Sequence, residues 1–463
     1  MKLAVVVQRY GAEINGGAEL HARYIAERLA RRHDVDVLTT CARDYVTWAD
    51  AYPAGEDRVN GLRVRRFPVA RERRPDDFGR LSLRVFQNQH SLADELAWLT
   101  TEGPTSPALV AHLASEREAY DYFIFFSYRY YHAYHGVRTV PQRAILVPTA
   151  ERDAAIGLAL FPPIFRAVRA IMYNSPEERA MIGAIANNQA VPGVVVGVSS
   201  HIPERAHPER FRQKYGISGP FVLYVGRIDE NKGCAELFRF FLRQVAARSG
   251  ALRLVLVGNS ILPIPEHSSI RHLGFVSDED KFDAIAACEV LVMPSFFESL
   301  SMVTLEAWAL GRPVLANGRC DVLVGQCLRS NAGLFYENGA EFTEALRVLW
   351  TNRVLNRTMG QSGREYFQRH YRWPVIDRKY EETLADLAAA DRRGPCACTI
   401  EPLPGWFRRR RREIVPANTV LAAIPARQLG HAHDAAMSSR NRQSRRDSDR
   451  LRARPRRARR LDQ

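Results

Sequence analysis

The sequence predicts an α/β protein of two doubly wound domains, and three observations point there. Its 463 residues are about three times the ~150 of a typical domain, which excludes a single small module. Short runs rich in Val, Ile and Leu alternate with longer stretches of helical period, the pattern of strand, crossover helix and parallel strand. Between about residues 187 and 220 that pattern gives way to Pro, Gly and little apolar period, and then it begins again.

Leu3 to Val7 reads as the first buried strand. After a Gly-containing loop, Ala18, Ala22, Ile25 and Leu29 recur at helical spacing, and Val35 to Thr39 supplies the next strand. Tyr122 to Phe126, Ala144 to Val147 and Ile171 to Asn174 are further strands. Ser175-Pro176-Glu177-Glu178 then has the pattern of a capping box with Pro at the first helical position. Within the interruption only Val194 to Val198 is apolar. The second series places strands at Phe221 to Val225, Leu252 to Val257, Ile270 to Phe275, Val290 to Met293 and Val314 to Ala316, with helices such as Cys234 to Ala247 and Ser277 to Ala287.

The resulting division is a first Rossmann-like domain over residues 1–192 and a second over 193–373. A helix at 374–390 is expected to pack back on the first domain, and a basic disordered tail follows at 391–463. Two such domains turn the carboxyl ends of both sheets toward a shared cleft, where ligands of open α/β sheets bind.

The formal charge of +15 invites a polyanion-binding reading. Its location argues against one. Residues 391–463 hold 19 Arg, no Lys and seven acids, leaving 47 bases against 44 acids for the body. Basicity therefore belongs to the tail, and no nucleic-acid partner is expected for the body. Trp406-Phe407 followed by Arg408 to Arg412 would suit peripheral contact with an anionic membrane. A flexible extension without function, or the translation of a shifted reading frame, are the alternatives for the tail.

Seven scattered cysteines do not suggest a disulfide framework, and Cys396 and Cys398 lack a second pair at zinc-site spacing. The five-residue apolar start is too short for a signal-peptide core of ~7 residues or more, and no run approaches the ~18 of a membrane span. A cytoplasmic protein is expected, at most at the inner face of the cytoplasmic membrane.

Chemistry concentrates in two segments. Phe221 to Val225 leads into Gly226-Arg227, and Lys232-Gly233 precedes the next helix. Bases at a strand's carboxyl edge and beside a helix amino terminus can hold a diphosphate, since charge, forked donors and helix dipole act together. A salt-bridged surface loop fits the spacing equally well. In the second segment, Glu298 lies in the loop after a strand and Glu306 in the helix that follows, with Ser299-Leu300-Ser301 between. These carboxylates could accept hydroxyls from two ends of an extended ligand while free amides meet its anionic middle. Read as two isolated acids they would be a helix cap and a solvated residue.

Taken together, Gly226-Arg227 with Lys232-Gly233, Glu298 and Glu306 around a Ser-Leu-Ser loop, Leu273-Gly274-Phe275-Val276-Ser277 and Met293-Pro294-Ser295 resemble the carboxyl-terminal signature of family 4 (group 1) glycosyltransferases of the GT-B fold. The resemblance covers roughly residues 1–390. It implies that Arg227 and Lys232 bind and stabilise the donor diphosphate, that Glu306 holds the ribose, and that Glu298 binds the transferred sugar. Amides around Ser299, Leu300 and Ser301 would contact sugar and phosphate, and Val276 would lie beside the nucleobase. Asn15-Gly16-Gly17-Ala18-Glu19 resembles the family's Gly-Gly-Ala-Glu loop, with Gly16 and Gly17 letting backbone approach the donor.

For the acceptor, Ser127-Tyr128-Arg129-Tyr130 follows a strand end, and Tyr128 and Arg129 are candidates. Many relatives carry a His near Pro148-Thr149-Ala150-Glu151-Arg152-Asp153, where this chain has Glu151 and Asp153; Glu151 is the third candidate, and the general base stays open. Asp34-Val35-Asp36 and Asp278-Glu279-Asp280 have the spelling of a metal-binding acid pair but are assigned to structure. No metal and no cofactor beyond a UDP- or GDP-linked sugar is expected. The implied activity is retaining, metal-independent transfer of a hexose to a hydroxyl of a bacterial glycan or lipid-linked oligosaccharide. A non-catalytic nucleotide-sugar or glycan-binding scaffold of the same fold is the alternative.

Overall fold

The computed structural model describes residues 1–247, 252–394 and Cys396. Nearly all of the tail expected at 391–463 lies outside the described residues, with its Trp406 to Arg412 segment and Cys398.

The first sheet is built from β1 (Lys2–Val6), β2 (Asp34–Thr40), β3 (Gly55–Val59), β4 (Leu62–Phe67), β5 (Tyr122–Phe126), β6 (Ala144–Val147), β7 (Ala170–Tyr173) and β8 (Gly193–Val195). Its order is β3-β4-β2-β1-β5-β6-β7-β8, parallel everywhere except between β3 and β4. Leu3 to Val6 and Phe123 to Phe126 are 0% exposed. Helices cover a parallel sheet on both faces, so its strands read as unbroken apolar runs instead of alternating ones.

The second sheet comprises β9 (Phe221–Val225), β10 (Arg253–Val257), β11 (Ile270–His272), β12 (Val290–Met293), β13 (Val314–Asn317) and β14 (Gly333–Tyr336). It is parallel throughout, in the order β11-β10-β9-β12-β13-β14. The order reverses beside β9, as it does beside β1 in the first sheet. Crossovers leave these strands toward opposite sides and open a crevice at their carboxyl ends. Gly226-Arg227 and the loop to Gly16-Gly17 start at these two points.

Some expectations need correction. The first sheet runs past residue 192, because β8 pairs with β7 (Ile171 with Gly193, Tyr173 with Val195); the domain boundary therefore falls after Val195. The strand expected to Phe275 stops at His272. The last helix spans Trp373–Arg393, longer at both ends than 374–390. It lies on the first domain, where Asp391 accepts from Arg169 at 2.8 Å and from Tyr122 Oη at 2.5 Å, while Glu381 meets His33 at 3.1 Å. β3 and β4 were not legible, because charged residues fill the edge of the sheet. Arg63 of β4 reaches Asp34 at 2.6 Å and Asp36 at 2.5 Å, which gives the first acid pair a structural partner.

Among the described residues no helix is long and apolar enough to cross a membrane. Cys41, Cys234, Cys288, Cys320 and Cys327 are free and buried, and Cys396 is disulfide-bonded.

Candidate active site in the cleft between the sheets

The loop after β9 is organised by Asp229, which is only 3% exposed. Its carboxylate accepts from Arg227 Nε, and its Oδ1 accepts from the Lys232 amide at 2.7 Å. One buried acid thus fixes both bases of the segment. Burial opposes the charge on Arg227, but Asp229 overrides it and raises the guanidinium's pKa. Lys232 Nζ donates to Glu298 Oε1 at 2.8 Å. Burial again opposes the charge, and Glu298 and Glu151 together hold the ammonium above the usual lysine range.

Gly233 closes this loop onto the neighbouring strand end. Its φ is +69°, and a Cβ there would stand 2.0 Å from the carbonyl oxygen of Pro294. We expect Gly233→Ala to destabilise the protein by about 2 kcal/mol or more, since strain and a backbone clash act together. Thermal unfolding checks this; an unchanged melting temperature contradicts it.

Glu306 sits inside the Met302–Ala309 helix at 2% exposure, so it is not a solvated acid. Its Oε1 accepts from Ser200 Oγ at 2.6 Å and Lys281 Nζ at 3.1 Å, while Oε2 is buried without a partner. A buried carboxylate oxygen with no partner among the described residues calls for a donor from elsewhere. Neither Ser200 nor Lys281 was foreseen, because both come from distant segments with no local signal.

Of the loop between the two acids, Leu300 is buried in the core and Ser299 Oγ accepts from Asn174 of the first domain at 3.3 Å. Ser301 takes φ +68° and bonds Thr304 Oγ1 at 2.9 Å, so its side chain does not cap the helix. The first amides of that helix therefore have no side-chain cap. Val276 is half-buried at the second sheet's edge, next to Phe275, which is 66% exposed.

Across the cleft, Gly16 is the N-cap of the Gly17–Leu29 helix. A Cβ at Gly16 would meet Glu19 Oε2 at 2.2 Å, whereas at Gly17 it would meet nothing within 4 Å. The first glycine makes room for Glu19, which is paired with Arg9 at 2.6 Å; the second leaves open space before a helix amino terminus. The Tyr45 ring of the first domain faces Arg227, 6.0 Å from its guanidinium carbon.

The acceptor candidates separate. Tyr128 is 2% exposed with its ring edge-on to Phe161 at 4.7 Å, so it packs the first domain and cannot stack on a sugar. Arg129 is held by Glu102 at 2.9 Å and Asp153 at 2.8 Å, which makes it a brace for the loop rather than a free base. Glu151 does belong to the site. It is half-buried, and burial raises its pKa, with Glu298 and Asp153 adding to the rise and Lys232 and Arg129 opposing it. The capping box at Ser175 forms only one way. Ser175 Oγ accepts from the Glu178 amide at 3.1 Å, while Glu178 turns its carboxylate to the amides of Ala150 and Asn174, both at 2.5 Å. Burial pushes that carboxyl up to about 8, against the pull of the two amides.

In the second acid pair, Asp280 is occupied by Lys214 at 2.7 Å and caps nothing but its own helix start through Ser277. Among the described residues no group of three or more His, Cys, Asp or Glu could hold a metal ion.

Residues 219–352 match the family described as glycosyl transferases group 1. Mannosylfructose-phosphate synthase of Agrobacterium fabrum is 31% identical over 124 residues, covering 23% of this chain and 27% of the relative. Phosphatidyl-myo-inositol mannosyltransferase of Propionibacterium freudenreichii is 28% identical over 124 residues, 27% of this chain and 32% of the relative. These matches span about a third or less of the relatives' length. Among solved structures, sucrose-phosphate synthase of Thermosynechococcus elongatus superposes with a TM-score of 0.62 at 16% identity, covering 84% of this chain and 99% of that one. HepE of Anabaena, in complex with UDP-glucose, gives 0.61 at 15% identity, with 83% and 100% covered. The fold is the one these structures share.

Proposed function

We propose that this chain, whose residues 219–352 match the group 1 glycosyl transferases, transfers in its cleft a hexose from a nucleoside-diphosphate sugar to an acceptor hydroxyl. The observation that carries the reading is the loop in which Asp229 fixes Arg227 and Lys232 while Lys232 pairs with Glu298, together with the buried Oε2 of Glu306, which has no partner among the described residues.

In this reading Arg227 and Lys232 neutralise the charge that develops on the departing diphosphate, in a site where preorganised donors count for more than in water. Glu306 accepts from the ribose through Oε2, with Val276 beside the base. Glu298 and the uncapped amides after Ser299 hold the transferred sugar, and Gly17 admits the donor from the first domain. The acceptor oxygen bonds to the anomeric carbon on the face from which the diphosphate leaves, and the acceptor's proton passes to the leaving phosphate oxygen. The anomeric configuration is thus retained, and Arg227 and Lys232 supply the positive charge without a metal. A glycan or lipid-linked oligosaccharide hydroxyl is the acceptor, met at the cytoplasmic face. HepE's bound UDP-glucose supports a UDP-linked donor. Release of UDP or GDP from a panel of nucleotide sugars tests the reading; binding without any release or transfer would support a non-catalytic scaffold instead.

The carboxylate of Glu151 makes no hydrogen bond to the described residues and acts on Lys232 and Glu298 from the first domain. We place it against the acceptor hydroxyl, where its carboxylate accepts that hydroxyl's hydrogen bond and orients the oxygen while the proton passes to the leaving phosphate. Because its pKa is raised, chiefly by burial, it ionises at a higher pH than an ordinary glutamate. kcat/KM is therefore expected to rise with pH through an acid limb above about 4.3, the ordinary value for glutamate. Glu151→Gln should remove that limb and lower kcat about tenfold or more; a limb that survives the substitution assigns it elsewhere.

A further inference from the structure

The first domain contains a buried acid that the reaction does not touch but that joins three parts of the cleft. Glu178 is 1% exposed, at the start of the Pro176–Ala186 helix. Its Oε1 accepts from the amide of Ala150 and its Oε2 from the amide of Asn174, each at 2.5 Å. These amides belong to the loops after β6 and β7, so one carboxylate ties together two neighbouring strand ends. Ala150 immediately precedes Glu151. Thr149, just before it, has φ +47°, a left-handed conformation that a β-branched residue holds only where its surroundings impose it. From the other loop, Asn174 Nδ2 reaches across the cleft to Ser299 Oγ at 3.3 Å.

Helix capping does not account for this. The helix is capped by Ser175 Oγ, and a capping-box glutamate returns its carboxylate to the N-cap residue's own amide. Here both oxygens go elsewhere, one to a different loop. With both atoms accepting, the hydrogen-bonding pattern is that of a carboxylate.

We propose that Glu178 is a positioning residue: its carboxylate clamps the loops after β6 and β7 so that Glu151 is held against the Lys232–Glu298 pair while Asn174 meets Ser299. This rests on the reading of the cleft as a nucleotide-sugar site. Glu178→Gln keeps size and shape but turns an NH2 group toward one of the two amides, so one side of the clamp opens.

The test is a double-mutant cycle of Glu178→Gln and Glu151→Gln, above pH 8 where Glu178 is ionised. Hydrolysis of UDP-glucose or GDP-mannose, whichever the wild type turns over, is measured together with calorimetric affinity for UDP or GDP. Glu178→Gln alone should lower kcat about tenfold and change nucleotide affinity less than about twofold, and in the Glu151→Gln background its effect on kcat should nearly vanish. Equal losses in both backgrounds, or a matching loss of nucleotide affinity, would overturn the proposal as mere loosening of the domain. Should Glu178→Gln fail to fold, Glu178→Asp, which keeps the charge but shortens the reach, gives the same cycle with the same expectation. A wild type that neither binds nucleotide nor turns over a sugar removes both the functional reading and this inference, whereas a wild type that does both with an additive cycle removes the inference alone.

Discussion

Lys232→Ala is expected to lower kcat/KM for the sugar donor about a thousandfold, the upper end of what loss of one preorganised donor to a developing anion costs. The position explains the size. Lys232 is anchored through its own amide to Asp229 and through Nζ to Glu298, so its charge is in place before the diphosphate leaves and needs no reorganisation. A thousandfold corresponds to about 4 kcal/mol of transition-state stabilisation. Removing the ammonium also strands Glu298 beside Glu151, two acids that now repel each other and the phosphate. Most of the loss should fall on kcat, because the leaving group's charge grows in the transition state. Steady-state release of nucleoside diphosphate checks this, and a variant within about threefold of the wild type contradicts the role.

Glu306→Ala should behave differently, weakening nucleotide binding about 10- to 100-fold with a much smaller effect on kcat. A hydrogen bond to a charged group contributes about 1.5–3 kcal/mol, and a ribose contact is the same in ground and transition states, so its loss appears in affinity. Lys281, at 3.1 Å from Glu306, loses a buried partner in the same step, which adds a stability cost visible in thermal unfolding. Calorimetry with UDP and GDP measures the affinity. Together the two variants separate a group that meets the charge in motion from one that meets the ligand at rest; a kcat loss at Glu306 with unchanged affinity would reverse that assignment.

What could be read in the sequence divides along a physical line. β1, β5, β9 and β12 are covered on both faces and so appear as bare apolar runs. β3 is the edge strand and β4 its neighbour, and the Asp and Arg residues among them hide both strands. Spacing alone fitted a salt-bridged loop and a helix cap equally well or better; Arg227, Lys232, Glu298 and Glu306 were legible because two strand-to-helix segments together resemble a family signature. Their partners were not: Ser200 lies 106 positions from Glu306 and Asn174 lies 125 from Ser299, and no local pattern encodes such meetings. Tyr128 misled for a related reason. An aromatic residue after a strand has the same sequence signature whether it faces the cleft or, as here, Phe161 and Phe165. Glu178 misled through its spacing, since a capping-box position says where the acid starts and leaves open which amides it reaches.

The charge of the whole chain also looks different with the cleft in view. A body close to neutral fixes two cations in one loop, Arg227 through Asp229 and Lys232 through Glu298 with Glu151 nearby, and these acids keep them charged. The central claim is that this cleft holds a nucleoside diphosphate. Calorimetric titration of the full-length chain with UDP and with GDP tests it most directly: one of the two should bind with a Kd below about 1 mM, a free energy beyond about −4 kcal/mol, and Lys232→Ala and Glu306→Ala should each weaken it. If neither nucleotide binds, or if binding is indifferent to both substitutions, the account is contradicted.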